Sequence, residues 1–166
     1  MAKLHLITFG KLKAPGLREA TDYYLRNIKP WVSIQEVELK QHELSDRKPA
    51  SRAIAQQKEA EKLDETLSRL DRARTRLVVL DERGTQWSTQ DWANRIQAWQ
   101  LESISDLVFC IGSTTGFDPA WVKKNSTATV SFGKQTTSHE IARLILSEQL
   151  YRAYSVLNGH PYHVAD

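Results

Sequence analysis

The chain reads as an α/β protein, a mostly parallel sheet flanked by helices, in one domain over residues 1–166. Three observations predict this. Strand-like and helix-like segments alternate along the whole length, the order that builds a parallel sheet covered on both faces. Residues 77–80 and 107–111 are short unbroken apolar runs, as expected of strands buried on both sides. No repeat, low-complexity tract or linker interrupts the alternation, and 166 residues suit one sizeable core.

Residues 3–9 form a first strand, closed by Gly10. Pro15 is placed for the first turn of a helix running to about Lys29, with Pro30 as its stop. Val32, Ile34, Val37 and Leu39 mark a second strand, and the aperiodic polar stretch 40–49 is a loop. Residues 50–73 read as a long charge-laced helix whose end gathers Arg69, Arg72 and Arg74, with Arg76 just beyond. The strand 77–80 follows, then residues 81–87 turn the chain. Ser88 with Asp91 forms an approximate capping box for a helix to about Gln100. After the strand 107–111 comes a glycine-bearing loop, 112–116, and Asp118-Pro119 start a short helix. Residues 127–132 are the last strand, and Thr137 with Glu140 forms a capping box for a final helix over 138–157.

Composition narrows the classes. The net charge of +3 permits contact with nucleic acid without establishing it. The single cysteine, Cys110, excludes an internal disulfide and suits a cytoplasmic location. No apolar run approaches the roughly 20 residues that span a bilayer, and the start of the chain reads as a strand, not a signal peptide. The five histidines and one cysteine have no metal-ligand spacing, so no metal is expected. Trp92 and Trp99 lie seven apart on one helix, which is core spacing, and packing is favoured over base stacking for the five tryptophans.

Ligands of open α/β sheets bind outside the carboxyl ends of strands, here after Leu80, Ile111 and Phe132. The 112–116 loop is neither a Walker A loop nor Gly-x-Gly-x-x-Gly, yet its glycines let backbone approach a ligand. The 133–138 loop leads into a helix N-terminus able to hold an anionic group. His139 opens that helix, where the dipole disfavours its protonation. The helix carries apolar residues around more of its girth than one stripe, which suggests its own sheet on one side and another chain on the other. Glu148 and Arg152 are spaced for an ion pair. The chain then ends in His160-Pro161-Tyr162-His163, dense in proton-handling groups where a terminus is usually inert. Such a tail suggests a segment folded onto a site of its own subunit or of a partner.

Together KLHLITFGK, LVVLDERGTQWS, FCIGSTTGF and above all SEQLYRAYSVLNGHPYH resemble the ribosomal large-subunit pseudouridine N3-methyltransferase family of the SPOUT superfamily. The resemblance implies an S-adenosylmethionine-dependent enzyme with a trefoil-knotted C-terminal half, working as a homodimer on 23S rRNA in the assembled ribosome. It implies a cofactor site at Leu80, Gly112, Ser113, Gly133, Lys134, Gln135, Thr136, Thr137 and Ser138. It implies catalytic roles among His139, Arg143, Glu148, Arg152, Tyr162 and His163, with Tyr162 and His163 reaching the pocket from the partner chain. His163 or His139 would manage the proton, and Arg143 or Arg152 would hold the imide anion or a phosphate. The family has Gly-Gly where this chain has Gly112-Ser113, an apolar residue and Pro in place of Thr137-Ser138, and Gln or Pro in place of Glu140. The tail also continues past His163 to an acidic end at Asp166. Because of these departures two further readings stay open: an RNA- or ribosome-binding dimer without catalysis, and a methyltransferase for another RNA.

Overall fold

The computed structural model describes residues 1–163; the acidic end at Asp166 lies outside them. Five strands form one sheet: β1 (Lys3–Phe9), β2 (Ile34–Leu39), β3 (Thr75–Gln86), β4 (Asp106–Ile111) and β5 (Ala128–Ser131). Their order is β2-β1-β4-β3-β5, and every neighbouring pair is parallel. Parallel neighbours need crossovers, supplied by α1 (Leu17–Ile28), α2 (Pro49–Leu67), α3 (Thr89–Leu101) and α4 (Pro119–Asn125), with α5 (His139–Leu157) following β5.

Two apolar layers explain the unbroken runs. Leu4, Leu6, Val78, Leu80, Leu107 and Phe109 pack with α1, α3 and α5. The alternate residues Ile7, Phe9, Leu77, Val79, Val108 and Cys110 pack with α2 and α4. Both strand faces are thus dry, so the period of two leaves no polar signature in β3 or β4. Burial pushes the Cys110 thiol up to about 12, consistent with a packing role. Trp92, Trp99 and Trp121 are buried, and the Trp121 indole donates to Asp64 at 2.7 Å. Packing is therefore the role of these three.

Several boundaries differ from the sequence expectation. The second helix stops at Leu67; Asp71 caps a 3-10 turn over Arg72–Arg74, and β3 begins at Thr75. The arginines thus spread over a turn and a strand instead of crowding a helix end. Helix α1 begins at Leu17, after Gly16, so Pro15 precedes its first turn. The Ser88–Asp91 capping box is present in full. The expected Thr137–Glu140 box is not: Ser138 is the cap of α5, its hydroxyl accepting from the Ile141 N–H.

The stretch after Leu80 is the largest difference. Residues 81–87 do not simply turn. Strand β3 runs on to Gln86, and both Leu80 and Thr85 pair with Val130 of β5, so the intervening residues bulge out. At Gly84 the two backbones meet so closely that a Cβ would lie 2.7 Å from Thr129 and Val130 main-chain atoms.

Candidate functional site

A cleft of about 460 Å³ opens at the carboxyl ends of β4 and β5 and beside the bulge of β3. That position follows from strand order, since loops leaving these ends flank one crevice, and the size lies within the roughly 300–1,000 Å³ usual for small-molecule sites. Leu80, Ile111, Phe117, Val130, Phe132 and Ala142 supply apolar surface. The walls are the 112–117 loop on one side and the segment running into α5 on the other. Arg52, Asp81, Glu82 and Arg83 bring charge to the rim.

The 112–117 loop is tied to α2. Glu59 is 3% exposed, and its carboxylate accepts from the Ser113 hydroxyl at 2.7 Å, the Thr115 hydroxyl at 3.4 Å and the His42 N–H at 2.9 Å. One and two turns earlier on α2, Gln56 and Arg52 both donate to the Thr115 carbonyl, at 2.8 and 2.9 Å. Ser113 therefore lines the cleft with its hydroxyl already engaged by Glu59. A buried carboxylate needs such donors, because burying one unpaired is costly. Replacing Glu59 with leucine is expected to leave the His42 N–H without its acceptor and the two hydroxyls with only each other and the Gly116 carbonyl. The expected cost is about 1–3 kcal/mol of stability, which denaturant unfolding measures.

The rim charges are largely paired. The Arg83 guanidinium grips Asp81 at 2.7 and 2.9 Å and holds its carboxyl below the usual carboxylate range. Glu82 accepts from the Thr136 hydroxyl, which joins the β3 bulge to the opposite wall. His139 lies in that wall, where its Nε2 is buried without a hydrogen-bond partner among the described residues. A Cβ on Gly10 would lie 2.9 Å from that nitrogen, so glycine lets the end of β1 reach the imidazole.

The residues singled out from the sequence fall into three places. Leu80, Gly112, Ser113, Gly133, Gln135, Thr136, Thr137, Ser138 and His139 all line the cleft, while Lys134 stands exposed outside it. Arg143 is only 2% exposed; it binds the carboxylates of Glu36 and Glu38 on β2 and the Thr8 hydroxyl. Glu148, Arg152, Tyr162 and His163 form a separate cluster.

In that cluster Arg152 donates to Glu148 at 2.5 and 3.0 Å, and the Tyr162 hydroxyl donates to the same Glu148 oxygen at 3.0 Å. The guanidinium lies 4.9 Å over the Tyr162 ring, and its Nη1 is 3.4 Å from His163 Nδ1. Burial and the Glu148 carboxylate push the Tyr162 phenol well above its ordinary value, so it stays protonated near neutral pH and serves as a donor. Trp31 stacks on Tyr151 at 5.9 Å, and Tyr151 packs on Tyr162 at 4.3 Å, seating the tail on its own helices. At about 1.5 Å rise per residue, Glu148 and Arg152 lie roughly 14–20 Å along α5 from His139.

Sequence reasoning missed Arg52, Glu59 and Phe117, and it placed Asp81 only at the start of a turn. The charged triplet Asp81-Glu82-Arg83 directly after a buried strand was a usable signal; Glu59, one of many charges on α2, gave none.

Fold and cleft define a parallel α/β protein with a cleft of small-molecule size beside its strand ends. The family described as "Predicted SPOUT methyltransferase" matches residues 2–163. Relatives named ribosomal RNA large subunit methyltransferase H include those of Symbiobacterium thermophilum, 34% identical over 97% of this chain and 99% of theirs. Those of Desulforamulus reducens (34%; 98% and 99%) and Koribacter versatilis (33%; 97% of each) match similarly. The chain belongs to the SPOUT methyltransferase family.

Proposed function

We propose that the protein is a cytoplasmic homodimer that methylates N3 of a pseudouridine in 23S rRNA on the assembled ribosome, using S-adenosylmethionine. The observation that carries this reading is the similarity, over 97–98% of the chain at 33–34% identity, to relatives named ribosomal RNA large subunit methyltransferase H. The trefoil threading of the C-terminal half belongs to the same reading.

The cleft suits the donor. Leu80, Ile111, Val130 and Phe132 offer an apolar seat for a purine, and the loop backbones offer donors and acceptors at its edge. A zwitterionic tail meets both signs of charge at the rim, Arg52 on one side and Asp81 and Glu82 on the other. When bound, S-adenosylmethionine supplies a methyl group on its sulfonium sulfur. The protein's residues hold the base in line, exclude water and take the imide proton, for which positioning alone contributes several kcal/mol. His139 Nε2 has no competing partner among the described residues. Arg143 already faces two carboxylates, which leaves Arg152 as the cation for the imide anion or a phosphate.

A second copy would complete the site. Ile141 is exposed and Leu144 and Ile145 are half-buried, on the face of α5 that also carries Glu148 and Arg152. In a twofold contact the same patch meets itself. If α5 crosses its mate antiparallel near Ile145, the mate's Arg152, six or seven positions past the crossing, falls opposite His139.

Labelled S-adenosylmethionine with purified ribosomes, and with protein-free rRNA as comparison, tests the reading. Label is expected in one pseudouridine of ribosomal 23S rRNA and far less in free rRNA. Donor binding without any transfer to ribosomes would sink it.

A further inference from the structure

Ala14 and Glu140, 126 positions apart in the chain, share a contact that the methyl-transfer reading does not use. The Glu140 carboxylate accepts the backbone N–H groups of both Lys13 and Ala14, the latter at 2.9 Å. These two bonds hold the carboxyl below its usual range. The loop leaving β1 is therefore fastened to the first turn of α5. Its other end is fixed as well, since Gly10 sits against His139 in the cleft wall. Between these two attachments the loop carries Lys11 and Lys13, both exposed and neither in an ion pair among the described residues.

We propose that Glu140 is a positioning residue: by fastening the loop it holds Lys11 and Lys13 beside the cleft as a clamp for phosphates of the RNA strand whose base enters. The proposal rests on the RNA-methyltransferase reading. Glu140 itself touches no reacting group. A carboxylate beside an RNA path is otherwise unfavourable by like-charge repulsion, so its presence needs this kind of return.

The two roles predict opposite signs. If Glu140 were only a surface charge, Glu140→Ala would tighten RNA binding by removing repulsion. If it positions the loop, Glu140→Ala weakens binding. Glu140→Gln keeps an oxygen to accept the N–H groups without the charge, and it should bind at least as well as the parent. The measurement is binding of purified large ribosomal subunits over a series of salt concentrations, with donor affinity by calorimetry as control. Lys11→Ala/Lys13→Ala is expected to flatten the salt dependence by about 1.5 in log–log slope, near 0.7–0.9 per lost phosphate contact. Affinity should fall about tenfold while donor affinity holds. Glu140→Ala should follow the same direction, raise the KM for ribosomes more than it lowers kcat, and add little to the double lysine variant.

An unchanged slope in the lysine variant overturns the clamp; tighter binding by Glu140→Ala overturns the positioning role. Neither readout needs methyl transfer. Failure of the catalytic reading would appear separately, as absent methyl transfer to ribosomes by the parent protein.

Discussion

Gly84→Ala is expected to unfold the protein about 10 °C below the parent. The added carbon would lie 2.7 Å from the Thr129 and Val130 main chain. Those atoms belong to β5, which is paired along β3 and cannot swing aside as a side chain could. Overpacking typically costs about 1–3 kcal/mol, and a rigid backbone obstacle places this case at the upper end. For a domain of this size 1 kcal/mol moves Tm by roughly 2–4 °C. The strand pair also carries Leu80, Asp81 and Val130 into the cleft, so donor affinity should fall with stability. Calorimetric unfolding and donor titration measure both, and an unchanged Tm would mean the backbones do not approach this closely.

The same crossing shows where the sequence stopped being informative. Strand β3 was legible as far as Leu80 because both its faces are dry, and an unbroken apolar run is the mark of that. Beyond Leu80 the strand continues on the protein surface, where its residues are polar and the periodicity fades. The break at Leu67 was invisible for a related reason: charged residues continue evenly into the 3-10 turn, with no glycine or proline to stop a helix. At α5 local spacing pointed to a Thr137–Glu140 box, and it could not reveal that Glu140 was committed to a loop more than a hundred residues away. Strand order, too, is set by long-range pairing that no window of sequence contains. Of the site, the two wall loops were readable from glycines after strands, and His139 from its place at a helix start. Glu59 was not, since burial of one carboxylate among the many charges of α2 is decided by the fold.

Arg143 and Arg152, indistinguishable as candidates on one helix, separate once their neighbours are known. Arg143 is sealed beneath β1 and β2 with two carboxylates, and removing it would disturb the edge of the sheet. Arg152 keeps about a third of its side chain exposed and shares its single carboxylate with Tyr162. Of the two, the second is the one open to a ligand arriving from solvent.

Truncation after Gly159 is accordingly expected to reduce methyl transfer at least about 100-fold, with only a modest loss of stability. The removed segment supplies Tyr162 and His163 to the Glu148–Arg152 cluster, and a positioned proton-transfer group contributes typically 10²–10⁴ in rate. The tail's packing on Trp31 and Tyr151 goes with it, while the helix itself ends at Leu157 and keeps its own core contacts. Donor affinity should change little, because none of the cleft lining is lost. Complementation then decides between a tail acting on its own subunit and one acting across a dimer. The second chain carries Thr137→Trp, an exposed wall position where a bulky ring fills the cleft. Each variant alone should be nearly inactive. Mixed and allowed to exchange subunits, they form hybrid dimers with one intact cleft facing one intact tail, and activity should return. A tail that works in cis predicts no recovery at any mixing ratio, because neither chain then holds both halves of a site.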